Sequence, residues 1–257
     1  MPELLYKNAN IHYSDQGKGP VLLFLHGFLE DLTMWNNIVK SFHNSHRTLS
    51  VDLLGHGNTD SIGYIHSMED QARMLKFLLE ELKILHCVVI GHSMGGYIAL
   101  AFADLFPEMM RGLCLMNSTS YEDSEEKKHN RDRGIKAVKS NHKTFIRVAI
   151  PSLFSEKNRT IFTDDIRQVT DTALQMSKQG IIAALEGMKI REDRSHLLKK
   201  ANYPILMIIG KEDPALAFQS LLKQTENTKV HRVIFEDGHM SHIENEADLI
   251  QEFRNFL

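Results

Sequence analysis

The sequence predicts an α/β fold, with a mostly parallel central sheet and helices on both of its faces. Three observations predict it. Short apolar runs recur at 21–25 (VLLFL), 48–54 (TLSVDLL), 87–91 (CVVIG), 112–117 (GLCLMN), 205–210 (ILMIIG) and 231–236 (HRVIFE). They are continuously apolar, as strands covered on both faces require. Helical periodicity fills most of the intervals between them, and strands alternating with helices define the α/β class. A chain of 257 residues is long enough for one large core.

The elements follow in order. ELLYKNANIHYSDQG, near the N-terminus, alternates and reads as an antiparallel edge hairpin. After VLLFL, TMWNNI opens a first helix, with Trp35 packing it onto the core. SMEDQARMLKFLLEELKIL (67–85) is the clearest helix: Ser67 can cap it, Asp70 sits three residues on, and Met74, Leu75, Leu78, Leu79 and Leu82 share a face. Residues 94–106 form another helix, and 246–257 a closing one with Asn245 as its cap.

From 119 to 197 the rhythm breaks. No strong strand candidate occurs, and nearly eighty residues is too long for a βα connection. The segment opens with YEDSEEKKHNRDRG, read as a solvated helix face. It continues with helical stretches carrying Phe145, Leu153, Phe154 and Met176, read as the interior of the insertion more than as pocket wall. The expected organisation is a core of 1–118 and 198–257, with 119–197 as a helical insertion over one end of the sheet.

Composition narrows the function classes. The chain is 42% hydrophobic and 25% charged, which is ordinary globular composition. A formal net charge of −3 lacks the basic excess of a nucleic-acid binder. Cys87 and Cys114 lie in apolar runs and read as buried free thiols. The first residues lack a basic segment followed by an apolar one, and no apolar run reaches the length of a membrane span. The expectation is a cytoplasmic protein without a membrane span, acting on a small molecule. Nothing in the sequence speaks to oligomeric state. Fourteen histidines invite a metal reading, but no H-E-x-x-H or clustered Cys/His spacing occurs, so no metal site is expected.

The most informative stretch is Gly91-His92-Ser93-Met94-Gly95-Gly96, between a strand and a helix. It fits G-x-S-x-G, the nucleophile elbow, in which a strained turn lifts a serine above the sheet. A serine needs a base, a group to orient that base, and donors for the developing oxyanion. His239, in EDGHMSH, is the candidate base, with His242 as rival; Asp213, in GKEDP, is the candidate acid, with Glu212 and Asp123 as rivals. The chain order Ser93, Asp213, His239 suits this architecture. The N–H groups of Phe28, in the His26-Gly27-Phe28 loop, and of Met94, at a helix N-terminus, are the candidate oxyanion hole. His26, His92, His56 and Asp52 read as residues that fix these loops.

These motifs resemble the α/β-hydrolase superfamily, in its capped monomeric branch. The matches are HGF (26–28), DLLGHGNTD (52–60), GHSMGG (91–96), GKED (210–213) and GHMSHIENE (238–246), in the family's order over almost the whole chain. The resemblance implies a Ser-His-Asp triad, an acyl-enzyme intermediate, no cofactor and a helical cap over the pocket. It also implies a hydrolase of small or medium carboxylic esters. Carbon–carbon hydrolysis of vinylogous diketones, a related lyase and a thioesterase use the same scaffold. The first of these calls for pocket arginines, for which Arg191 and Arg194 are the candidates. Related lyases place an arginine directly after the elbow glycines, where this chain has Tyr97. A non-catalytic small-molecule receptor is the remaining class.

Overall fold

The computed structural model describes residues 3–257. Its centre is one eight-stranded sheet. The strands are β1 (Glu3–Tyr6), β2 (Ala9–Gln16), β3 (Val21–Leu25), β4 (Arg47–Val51), β5 (Cys87–His92), β6 (Met110–Met116), β7 (Ile205–Gly210) and β8 (His231–Phe235). They lie in the order β1-β2-β4-β3-β5-β6-β7-β8. β1 and β2 form the expected antiparallel edge hairpin, closed by Lys7 and Asn8 at φ 48° and 64°, the two positive angles of a type I′ turn. β2 pairs antiparallel with β4, and every later pairing is parallel.

The continuous apolar runs have the anticipated cause. Leu23, Leu25, Val89, Leu113, Leu115, Met207 and Ile209 join one buried cluster, while Leu22, Phe24, Ile90, Cys114, Met116, Leu206 and Ile208 join the other. Adjacent residues of a strand point to opposite faces, and both faces are covered. The helices of the core are α1 (Asn36–Phe42), α2 (Met68–Glu81) and α3 (Met94–Leu105). α1 joins one face, with Trp35 buried and tilted on Phe24 at 5.2 Å between ring centroids. α2 and α3 cover the other face.

Ser67 caps α2: its Oγ accepts from Asp70 N (3.1 Å) and donates to Asp70 Oδ2 (2.8 Å). The helix ends at Glu81, short of the predicted Leu85. Lys83 takes φ 55°, and the N–H groups of Lys83 and Ile84 return to Glu80 and Leu79, a Schellman stop that hydrophobic periodicity does not reveal.

Between β6 and β7 the chain is helical: α4 (Glu125–Ser152), α5 (Asn158–Ile161), α6 (Thr163–Ala173), α7 (Lys178–Lys189) and α8 (Ser195–Lys200). α4 breaks at Asn141, whose Oδ1 accepts from Thr144 N (3.0 Å) and so caps the second half. α9 (Phe218–Gln224) lies between β7 and β8, and α10 (Ser241–Glu244) and α11 (Glu246–Phe256) close the chain. Asn245 precedes α11 without capping it through its side chain, because its amide donates to Asp237 Oδ2 (2.7 Å) instead. Among the described residues, no helix is long and apolar enough to cross a membrane.

The strand order positions the site. From β3 the chain moves to β4 on one side, and β5 then returns on the other side of β3. The crevice at such a reversal, beyond the carboxyl ends of the strands, is where open α/β sheets bind ligands. The loop after β3 and the turn after β5 both open there.

Candidate active site

Ser93 sits between β5 and α3 at φ 49°, ψ −112°, a region that non-glycine residues avoid. The strain is held by bonds on both sides: Ser93 N donates to Met116 O (2.9 Å), and Ser118 Oγ donates to Ser93 O (2.8 Å). The elbow glycines are demanded by close approach. A Cβ on Gly91 would overlap the Gly95 carbonyl, and one on Gly95 would overlap the carbonyls of Leu25 and His26. Strand, turn and the loop after β3 therefore touch backbone to backbone.

Asp213 lies in the loop after β7 and His239 in the loop after β8. Their side chains meet, with His239 Nδ1 at 2.7 Å from Asp213 Oδ2, both buried. Asp213 is saturated with donors. Oδ1 accepts from Ala215 N (2.8 Å) and Leu216 N (3.1 Å), and Oδ2 also accepts from Asn117 Nδ2 (3.3 Å). Burial alone would raise its pKa. The charge and hydrogen bond of His239, with the Ala215 N–H and Asn117, outweigh burial and hold the carboxyl below the usual range. An ionised Asp213 fixes the proton of His239 on Nδ1 and leaves Nε2 as an acceptor.

Ser93 and His239 border one cavity of about 350 Å³, which also meets Phe28, Tyr97, Phe145, Leu153, Leu185 and Met188. No hydrogen bond joins Ser93 to His239 among the described residues. Such contacts commonly tighten only when substrate is bound. The N–H groups of Phe28 and Met94 donate to no protein acceptor among the described residues, and Met94 is the first residue of α3, whose N-terminus favours negative charge.

The other sequence candidates sort as follows. Glu212 is exposed. Asp123 is buried in ion pairs with Arg191 (2.6 Å) and Arg131 (3.0 Å) and makes no bond to His239. His242 is buried with its ring centroid 5.3 Å from that of His92, and burial pushes its pKa down to about 4. His26 is hydrogen-bonded to backbone, as expected: Nε2 accepts from Leu53 N (2.9 Å), so Nδ1 donates to Gly27 O (2.8 Å). Asp52 anchors its own loop by accepting from Leu32 N (2.8 Å) and Asn58 N (2.9 Å).

Arg191 and Arg194 are spent inside the protein. Arg191 pairs with Asp123, donates to Tyr121 O (3.1 Å) and stacks 4.1 Å above the Tyr97 ring. Arg194 is buried between Glu69 (2.6 Å) and Asp104 (3.3 Å). The charged opening of α4 is mostly exposed, as expected of a solvated face, and Lys127, Asn130 and Arg131 also line the cavity. Their spacing places them on one side of the helix. Phe145 and Leu153 line it too, whereas Phe154 and Met176 are buried away from it.

Sequence reasoning missed two residues. Asn117 stands at φ 45° after β6 and bonds both Asp213 and Gly238 O (3.1 Å); an asparagine just past a strand end was the available signal. Glu30, three residues after Gly27, accepts from Gly27 N (2.7 Å) and from His92 Nδ1 (2.7 Å). Among the described residues, Glu30, His92 and His242 alone cluster closely enough to share a cation. Both His92 nitrogens already face acceptors, Glu30 Oε2 and His239 O (3.0 Å), so an ion there would have to break those bonds. A larger cleft of about 460 Å³ lies beyond Glu30 and His242 and touches neither Ser93, Asp213 nor His239.

A family model for the alpha/beta hydrolase fold matches residues 20–246. The chain belongs to the α/β-hydrolase family. The match spans the loop after β3, the Ser93 turn, and the loops of Asp213 and His239 in this α/β-hydrolase. Among solved structures, a thermophilic esterase from Thermogutta terrifontis, with malate bound, superposes with a TM-score of 0.91 at 29% identity, over 96% of this chain and 92% of that one. A 2-hydroxy-6-oxononadienedioate/2-hydroxy-6-oxononatrienedioate hydrolase from Paraburkholderia phymatum is 30% identical over 221 residues, 79% of this chain and 74% of that protein. An uncharacterized protein of Mycobacterium tuberculosis is 33% identical over 102 residues; the match covers 40% of this chain and only 30% of that protein's length.

Proposed function

We propose that this α/β-hydrolase is a serine hydrolase of small or medium carboxylic esters. The observation that carries the reading is the buried His239–Asp213 pair at 2.7 Å, of which His239 borders the same cavity as a serine held at positive φ on the elbow. His239 Nε2 takes the Ser93 proton as Oγ attacks the ester carbonyl. The Phe28 and Met94 N–H groups receive the oxyanion. The His239 proton passes to the leaving alkoxide, and water activated by His239 then releases the acid. Asp213 holds the tautomer and stabilises the imidazolium. Residues 119–197 act as a cap, contacting substrate and limiting water. Three bonds at and near the base support that role: His239 N donates to Leu153 O (2.9 Å), and Glu244 accepts from Ser155 N (3.0 Å) and Asn158 Nδ2 (2.9 Å).

One observation favours a second reading. Lys127 borders the cavity, beside an Arg131 that is paired with Asp123, and its charge suits a substrate carrying a carboxylate, as vinylogous diketone substrates of carbon–carbon hydrolases do. Against it, Arg191 and Arg194 are committed to protein carboxylates. The deciding experiment is hydrolysis of p-nitrophenyl esters of increasing acyl length by the native chain and by Ser93→Ala. The expected result is turnover that disappears in the variant. A folded native chain inert on every ester, yet active on a vinylogous diketone acid, would replace the first reading with the second.

A further inference from the structure

We propose that Glu30 and His92 form a charged clamp that ties the oxyanion loop, the elbow and the base loop together, making His92 a positioning residue for His239. The inference rests on the reading of His239 as the base. His92 Nε2 lies 3.0 Å from the carbonyl oxygen of His239. A carbonyl only accepts, so Nε2 carries a proton. Nδ1 lies 2.7 Å from Glu30 Oε2, which also accepts from Gly27 N at 2.7 Å. Facing an ionised carboxylate, Nδ1 carries a proton as well, and His92 is an imidazolium.

Each end of the clamp grips a different loop. Gly27 belongs to the oxyanion loop, His92 directly precedes Ser93, and His239 lies on the base loop. The contacts leave no room at Gly27, where a Cβ would overlap Glu30 Oε2 and His92 Nδ1. Glu30 is 4% exposed and His92 1%, so the pair is sheltered from competing water and salt. The titratable groups facing His92 are Glu30, the rings of His239 (5.0 Å) and His242 (5.3 Å), and, electrostatically, Asp213; His26 acts on Glu30. His242 Nε2 stands 3.6 Å from Glu30 Oε1, outside hydrogen-bond reach, and burial keeps it neutral. It therefore does not compete for the His92 charge. The electrostatics agree. Burial opposes both charges, but Glu30 raises His92, and His92, above all, pulls Glu30 down to about 2.

The first test is two-bond ¹H–¹⁵N NMR of protein labelled at histidine nitrogens, from pH 5 to 9. One ring should keep both nitrogens protonated at pH 8, vanish in His92→Phe and turn neutral in Glu30→Gln. A neutral His92 ring in the native protein at pH 7 would overturn the clamp, and this readout needs no activity. The second test is kinetic. In Glu30→Gln an amide oxygen at the Oε2 position can still accept from Gly27 N, but a neutral His92 then keeps only one of its two bonds, Nδ1–H to that oxygen or Nε2–H to His239 O, so the clamp is weakened by one bond and not abolished. Activity should stay within about fivefold, whereas Glu30→Ala and His92→Phe should lose about 10²-fold in kcat with KM little changed. A folded His92→Phe with native kcat would sink the positioning role. Native activity in Ser93→Ala would instead sink the serine-hydrolase reading and leave the NMR result standing.

Discussion

Asp213→Asn tests the proposed mechanism most sharply, because its consequence follows from hydrogen-bond bookkeeping. Oδ1 accepts two backbone N–H groups, from Ala215 and Leu216. Those donors are partly or fully buried and require an acceptor, so the oxygen of an asparagine must face them. Its NH₂ then points at His239 Nδ1. A donor there forces the His239 proton onto Nε2, and an imidazole protonated on Nε2 cannot take the proton of Ser93. The amide also meets the Asn117 donor, now 3.3 Å from a carboxylate oxygen, and so loses a second bond. A triad locked in the wrong tautomer loses about 10⁴ in kcat, or about 5.5 kcal/mol of transition-state stabilisation. KM should move less than about threefold, because Asp213 is buried beneath His239 and does not border the cavity. The assay is stopped-flow hydrolysis of the best p-nitrophenyl ester, with circular dichroism to establish folding. A folded Asp213→Asn enzyme within tenfold of native kcat would refute the assignment of Asp213 and the tautomer argument with it.

Two further predictions concern stability. Gly95→Ala places a methyl group against the carbonyls of Leu25 and His26, which belong to β3 and its loop and cannot withdraw; it should cost about 3 kcal/mol and lower Tm by roughly 6–12 °C. A shift below about 2 °C by calorimetry would contradict the close packing of the elbow. Acidification should destabilise the fold before carboxylates titrate. Burial lowers His242 from 6.5 to about 4 and His56 to about 3, so the native state holds both neutral while the unfolded chain takes up their protons. Their contribution is complete above pH 6.5 and is lost as pH falls toward 4, by about 3 kcal/mol for His242. Glu30, held at about 2, adds its own loss only below about 4.5. Urea unfolding at pH 6.5, 5.5 and 5, below the range where the raised His92 contributes a change of opposite sign, measures this, and a midpoint independent of pH over that range would contradict the buried neutral state.

By itself the sequence determined the class of fold and the chain order of the candidate triad, because both are written in local patterns. A strand covered on both faces must be continuously apolar, so VLLFL and ILMIIG mark β3 and β7 at their observed ends. An elbow that packs backbone against backbone tolerates only glycine beside the serine, so GHSMGG is legible as residues. Where an end was decided by backbone conformation, periodicity overran it, as in α2, which the left-handed Lys83 stops early. Asn245 is a residue type that caps helices, but here its amide donates to Asp237, 8 residues earlier, and its side chain makes no cap bond.

Only the tertiary structure decided which charged residues face the cavity and which are consumed by the fold. Arg191 and Arg131 are chemically identical in sequence. Both pair with Asp123, but Arg191 is buried against the Tyr97 ring, while Arg131 also borders the cavity. The clamp was equally hidden, since Glu30 and His92 are 62 residues apart and His92 reaches His239 across 147. Contacts at such separation leave no period and no spacing in the chain. They exist because the sheet brings β3, β5 and β8 to end on one side, and burial there makes an unpaired charge too costly to leave alone.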